Sequence, residues 1–196
     1  GATKFLKFAI LNALIVACLT SSELYRDRTM KTAVVTGASS GFGAALARKL
    51  VADGHTVLGL ARRQDKLDAL AAELGERFFP VSVDLTDRAR ADAVLGDLMA
   101  RFPNIDVLIN NAGLALGVDK AQDAKLEQWD TMVATNISAL LHITHALLPG
   151  MVKQNKGHII NLGSTAGEYA YAGGNVYGAT KAVVQQLGRN LRADLS

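Results

Sequence analysis

Among 196 residues there is a single cysteine, Cys18, which excludes both a disulfide framework and a cysteine-based zinc site. An excess of one charge sign is also lacking, because 21 Lys and Arg face 18 Asp and Glu. Lys4, Lys7, Arg26 and Arg28 against Glu23 and Asp27 place two of the three surplus positive charges in the first thirty residues. The pI near 9.1 therefore marks no basic face. With the signs interspersed through the main body, there is no footprint for a nucleic-acid partner. The longest N-terminal apolar stretch, Phe5 to Leu19, is interrupted by Lys7 and Asn12 and is shorter than the ~20 residues needed to cross a bilayer. No internal repeat or linker breaks residues 31 to 196. What is present, 49% hydrophobic and 20% charged residues, suits one globular domain with a sizeable core and not a disordered chain.

Residues 1–29 read as a separate N-terminal extension. The Phe5–Leu19 run behind Lys4 and Lys7 resembles a secretory apolar region, and Ile15-Val16-Ala17-Cys18 resembles a lipidation box. Met30, directly before a strand, favours instead an upstream extension or a loosely packed helix. The domain proper is read as residues 30–196, with a cytoplasmic location and no membrane partner unless the first segment is a true export signal.

From Met30 the pattern alternates strand and helix. Strands are expected at Lys31–Thr36, His55–Leu60, Phe78–Val83, Ile105–Ile109 and His158–Leu162. Helices are expected at Ala44–Ala52, about Gln64–Leu74, Arg88–Arg101, a long stretch over Leu126–Met151, and a last helix from Asn175 or Val176. Ala45, Leu46, Leu50 and Val51 keep helical spacing in the first helix. Five strands separated by helices imply an α/β fold with a doubly wound, mainly parallel sheet, whose ligands gather at the carboxyl ends of the strands.

Thr36-Gly37-Ala38-Ser39-Ser40-Gly41-Phe42-Gly43 falls between the first strand and the first helix. Glycines at 37, 41 and 43 permit a tight turn, close approach of backbone to a pyrophosphate, and close helix–strand packing. Amides at the helix start attract phosphate. Gly37, Ser39, Gly41, Phe42 and Gly43 are thus candidate cofactor contacts, although the spacing is not the literal G-x-G-x-x-G. The second strand runs out as Leu60-Ala61-Arg62-Arg63, with no acid before Asp65. That suits the extra phosphate of NADP over the ribose hydroxyl of NAD. Arg62 is read as a contact to that extra phosphate, with Ser39 of the glycine loop as a second; Arg63 suits phosphate and a solvated helix start equally. Asp84 and Leu85, past the third strand, are placed to hold an adenine amino group, or Asp84 caps the next helix.

The chemistry-bearing residues cluster later. Tyr177 and Lys181, four apart at the start of the last helix, share one face. A phenol titrates near ~10 in water, and a neighbouring ammonium favours phenolate, which equips a tyrosine as general acid and base. Ser164, past the fifth strand, is placed to hydrogen-bond a carbonyl oxygen, and Asn136, in the long helix, to hold a water behind Lys181. Each alone reads equally as a surface or turn residue; their joint appearance with the glycine loop does not.

With these motifs together, the sequence resembles the short-chain dehydrogenase/reductase family over residues 30 to 196. Thr36–Gly43 matches T-G-x-x-x-G-x-G, Asn110-Asn111-Ala112-Gly113 matches N-N-A-G, and Asn136, Ser164, Tyr177 and Lys181 match the catalytic tetrad in order. The resemblance implies a Rossmann fold, proton donation by Tyr177 as hydride arrives from the nicotinamide, charge stabilisation by Ser164, and ribose contact by Lys181. It implies that Asn110, Ala112 and Gly113 line the adenine and ribose region, and that copies associate as a homo-oligomer through the long helix and the Tyr–Lys helix. Asn110–Gly117, Gly157–Gly167 and Tyr171–Lys181 further resemble NADP-dependent 3-hydroxy acid dehydrogenases, implying a small hydroxy acid or semialdehyde as substrate. A ketoreductase of another substrate class and a non-catalytic NADP-binding or redox-sensing module are the alternatives. Members of the family continue past this helix into further strands and a substrate loop. The sheet is therefore expected to be incomplete at its C-terminal edge, with the fifth strand's edge free and prone to aggregation.

Overall fold

The computed structural model describes residues 30–195, so the expected extension over residues 1–29 lies outside the described region. The elements run β1 (Thr32–Thr36), α1 (Gly41–Ala52), β2 (Thr56–Ala61), α2 (Gln64–Leu74), β3 (Phe78–Ser82), α3 (Arg88–Arg101), β4 (Val107–Asn110), α4 (Leu126–Val133), α5 (Ala139–Lys153), β5 (His158–Asn161) and α6 (Asn175–Asp194). The sheet is wholly parallel in the order β3-β2-β1-β4-β5. β3 and β5 are its outer strands, and β3 carries Pro80, which an outer strand tolerates because fewer ladder hydrogen bonds depend on it.

The chain steps from β1 out to β3, crosses to β4, then steps out the other way to β5. Right-handed crossovers therefore put α1 and α2 on one face and α3 and α5 on the other. Val34, Leu58, Leu60 and Leu108 pack with Leu95 and Leu98 of α3 and with Ile143, Leu147 and Met151 of α5. The alternating residues Val35, Val57, Val107 and Ile109 are also buried, filling the opposite face. Burial on both faces is why these strands read as nearly unbroken apolar runs.

Three boundaries differ from the sequence reading for identifiable reasons. α1 starts at Gly41, because its first turn is part of the glycine loop; its buried face is Gly43, Ala44, Leu46, Ala47 and Leu50, while Ala45 points outward. β4 starts at Val107, with Asp106 at its mouth, where the Asp106 carboxylate takes the Thr32 amide (2.9 Å) while the Asp106 amide reaches the Thr32 carbonyl (2.9 Å). The expected long helix is divided by a π-helical turn at Ala134–Ser138. Leu126–Lys153, read as one helix, contains an 18-residue window of mean hydropathy 1.3 and is by length and composition long and apolar enough to cross a membrane. Its Met132, Ala139, Ile143, Leu147 and Met151 are buried in the protein's own core.

Between β1 and β4 the chain's connections leave in opposite directions. This opens a crevice at the carboxyl edge of the sheet, and the singled-out residues lie along it.

Candidate active site

The glycine loop is stitched to the segment leaving β4. The Thr36 hydroxyl accepts the amides of Asn111 (3.0 Å) and Ala112 (2.9 Å), and Asn111 Nδ2 donates to the Thr36 carbonyl (2.8 Å). A Cβ on Gly43 would overlap the Gly37 carbonyl oxygen, so only glycine lets α1 begin directly against the loop. Gly41 adopts φ +55° and has nothing within 4 Å of its would-be side chain. Ser40, which precedes α1, makes no side-chain cap, and the loop and first turn line an open cleft at the positive end of the helix dipole.

That space is a cleft of about 480 Å³ lined by the loop, by Arg62 and Arg63, by Asp84 and Leu85, and by Asn111 to Gly113. Its helix N-terminus, open glycine and two arginines fit an anionic dinucleotide with an additional phosphate.

Arg63 Nη2 donates to Ser40 Oγ (2.7 Å) and Ser39 Oγ (3.2 Å), which draws this side chain over the loop. Arg63 itself stays exposed beside the loop. Arg62 lies at the cleft wall, exposed, and its charge bears on Asp84. Burial opposes ionisation of Asp84. Hydrogen bonds from the Thr86 hydroxyl (2.7 Å) and amide (2.9 Å), with the Arg62 charge, outweigh it and hold the carboxyl below the ordinary carboxylate value. Asp84 does not cap α3; Asp87 does, accepting the Arg90 amide at 3.1 Å.

One expected contact is corrected. Asn110 is 3% exposed and turned between β4, β5 and α5, donating to Thr144 Oγ1 (3.0 Å) and Asn161 Oδ1 (2.8 Å). The cleft wall is formed instead by Asn111, with Ala112 and Gly113 as expected. Asn110, the last residue of β4, shares the face of Leu108, whereas Asn111 turns out of the strand with its amide on the Ile109 carbonyl (3.0 Å) and so faces the cleft.

At the inner end of the crevice Lys181, 8% exposed, donates from Nζ to the Leu162 carbonyl at 2.9 Å, and burial lowers the pKa of its ammonium. Asn136, 1% exposed, sits in the π turn. Its Oδ1 accepts the Leu114 amide (2.9 Å), and its Nδ2 donates to the Leu114 carbonyl (2.8 Å) and to Thr180 Oγ1 (3.1 Å). Thr180 Oγ1 donates in turn to the Tyr177 carbonyl at 2.8 Å. Asn136 thus ties the loop after β4 to the second turn of α6. A Cβ on Gly113 would lie 3.3 Å from Asn136 Oδ1 and 3.4 Å from Lys181 Nζ, so these two side chains meet at one point of the wall.

Ser164 opens the short 3-10 turn Thr165–Gly167, and its Oγ accepts the Ala166 amide at 3.2 Å. With that lone pair engaged, the hydroxyl proton remains for another acceptor. A Cβ on Gly167 would stand 2.8 Å from the Ala182 nitrogen, and one on Gly178 2.7 Å from the Ala166 oxygen. These two glycines let the turn press against α6, so Ser164 and Tyr177 sit on packed backbone segments. On the outer side, Asn175 Nδ2 donates to the Asp119 carbonyl at 3.1 Å, and Gly173 (φ +79°) leaves no room for a side chain beside the Val118 carbonyl. The loop after β4 is thereby pinned to the entrance of α6.

The sequence reading missed Thr36, Asn111 and Thr180. All three lie inside motifs it quoted, but their roles depend on hydrogen bonds between segments far apart in the chain.

A doubly wound sheet with an anion-binding crevice at its switch point, and with Ser164, Tyr177 and Lys181 along the same edge, defines a Rossmann-type dinucleotide-binding domain. More narrowly, the chain belongs to the short chain dehydrogenase family, whose sequence profile matches residues 31–196. It is 52% identical over 162 residues to an NADP-dependent 3-hydroxy acid dehydrogenase of Salmonella typhi, an alignment covering 83% of this chain and 65% of that protein. It is 51% identical over 164 residues to a serine 3-dehydrogenase of Agrobacterium fabrum, covering 84% and 66%. A solved closed form of serine dehydrogenase complexed with NADP+ has a TM-score of 0.81 and 51% identity, covering 84% of this chain and 66% of that one. The chain therefore spans about 65% of the length of the curated relatives it matches.

Proposed function

We propose that this chain carries the cofactor site and catalytic centre of an NADP(H)-dependent oxidoreductase that interconverts the 3-hydroxyl of a small hydroxy acid and the corresponding carbonyl. The observation that carries the reading is the meeting of Lys181, Asn136 and Gly113 at the inner end of a cleft whose outer end holds Arg62 and Arg63. The 3-hydroxy acid and serine dehydrogenases among its relatives support the substrate class.

Gly37, Gly41, Phe42 and Gly43 would hold the pyrophosphate region, and Arg62, Arg63 and Ser39 the extra phosphate. Asp84 and Leu85 would bound the adenine, and Ala112 and Gly113 the ribose. Bound nicotinamide supplies or accepts the hydride. In the reducing direction Tyr177 gives its hydroxyl proton to the carbonyl oxygen while the carbonyl carbon gains hydride. Ser164, its own oxygen engaged by the Ala166 amide, donates to the same oxygen as charge develops. Lys181, one helical turn from Tyr177, would hold the nicotinamide ribose and favour the phenolate, and Asn136 keeps the helix carrying both in register.

The test follows NADPH absorbance with a panel of small 3-carbon and 4-carbon semialdehydes, alongside Tyr177→Phe. Turnover lost in Y177F with NADPH affinity retained is the expected result. No turnover by the wild type, with tight NADPH binding, favours a non-catalytic binding module. Copies are further proposed to associate through α4–α5 and α6, where Val133, Leu141 and Val183 are exposed apolar residues.

A further inference from the structure

We infer that Gln185 is a positioning residue for Ser164. Its Nε2 donates to the Ser164 carbonyl at 3.1 Å, and it lies one helical turn beyond Lys181, which donates to the Leu162 carbonyl at 2.9 Å. The two donors are thus four residues apart on α6, a rise of about 6 Å. The two acceptors are two residues apart on the segment leaving β5, about 6.6 Å if extended, and Ser164 is itself extended at φ −159°, ψ 150°. The repeats match, so α6 grips this segment at two rungs. The Leu162 amide continues the sheet by donating to the Asn110 carbonyl at 3.0 Å, which anchors the first rung. Past it, among the described residues, the second rung and the 3-10 turn hold Ser164.

The Ser164 carbonyl receives both the Gly167 amide (3.0 Å) and Gln185, while the Ser164 hydroxyl receives the Ala166 amide (3.2 Å). Gln185 therefore fixes the peptide from which the hydroxyl projects, and with it the direction of the one proton that Ser164 has left to donate. Gln185 is half-buried and reaches neither the glycine loop nor the arginines lining the cleft, so its effect should be confined to the chemical step.

This inference rests on the proposed reaction for its kinetic test but not for its structural one. In Gln185→Ala, and in Gln185→Glu, which keeps the shape but presents no amide donor, kcat should fall about 5- to 10-fold, the equivalent of one hydrogen bond, with KM for NADPH unchanged. In a Ser164→Ala background the same substitution should change kcat by less than about 2-fold, because its effect passes through the serine hydroxyl. Hydrogen exchange read by mass spectrometry, which needs no turnover, should show faster exchange at Ala166 and Gly167 in both variants and unchanged exchange at Leu108 and Ile109. Unchanged exchange at Ala166 and Gly167, or an equal loss of kcat with and without Ser164, overturns the assignment. Absence of wild-type turnover alongside the expected exchange pattern would count against the proposed reaction and leave the positioning contact supported.

Discussion

Gly43→Ala tests the construction of the nucleotide crevice most directly. The added methyl would overlap the Gly37 carbonyl oxygen and lie 2.7 Å from the Gly37 carbonyl carbon and 2.6 Å from Asn111 Nδ2. None of these atoms can yield by a simple rotamer change. Two belong to backbone, and the third is held by hydrogen bonds to the carbonyls of Thr36 (2.8 Å) and Gly37 (3.3 Å). Overpacking of this kind costs about 1–3 kcal/mol, and a broken Asn111 hydrogen bond adds about 1 kcal/mol. Replacing glycine in a helix returns about 1 kcal/mol. The net, about 1–3 kcal/mol, corresponds to a fall in melting temperature of roughly 3–10 °C for a chain of this size. NADPH affinity should drop at least about 10-fold, because the loop that moves carries the first-turn amides. Gly96→Ala is the control: it lies inside α3 with nothing within 4 Å, so the same change should raise the melting temperature by about 2–4 °C. Circular dichroism melts and calorimetric NADPH titrations read both. A Gly43→Ala protein that melts within about 1 °C of wild type and binds NADPH equally well would refute the close approach of loop and helix.

Arg63→Ala should lower the NADPH-to-NADH preference about 10- to 100-fold, as loss of a charge-assisted contact implies, and Arg62→Ala should act in the same direction; steady-state ratios unchanged in both would remove the phosphate assignment. His55 titrates low chiefly because of burial, and its Nδ1 accepts the Lys31 amide at 3.3 Å, which requires the neutral ring. The unfolded chain therefore binds the proton more readily, so this residue's contribution is present above about pH 6.5 and lost on acidification. Urea midpoints compared between pH 7.5 and 5 should fall less in His55→Asn, whose side-chain oxygen can accept the same amide. For Lys181, burial favours the neutral amine, so Lys181→Met should abolish turnover yet hold or raise the melting temperature; a fall of more than about 5 °C would contradict the cost assigned to the buried ammonium. Gly173→Ala should raise KM for the carbonyl substrate without altering NADPH binding, since its added methyl meets the Val118 carbonyl on the outer wall.

The sheet was legible because burial on both faces leaves an apolar signature that needs no partner to be recognised, as in Val107 to Ile109. The glycine loop was legible for a related reason, since a left-handed turn at Gly37 and Gly41 restricts residue type locally. Asn110 and Asn111 mark the limit. Both are asparagines in one motif at one strand end, and what separates a cleft-facing residue from a core-facing one is where the strand gives way to a turn, which the expected strand boundary at Ile109 placed one residue too early. The same limit applies to Asn136. Helical periodicity predicted a continuous helix, but the structure widens it into a π turn so that a 1% exposed carboxamide can hold Leu114 and Thr180 at once. Its partners lie 22 and 44 residues away, so no local pattern encodes the distortion. The site is therefore written at two levels. Residue types sit in short motifs that can be read directly. Their orientation is set by glycines such as Gly113, Gly167 and Gly178, whose missing side chains make room for contacts visible only once the chain has folded.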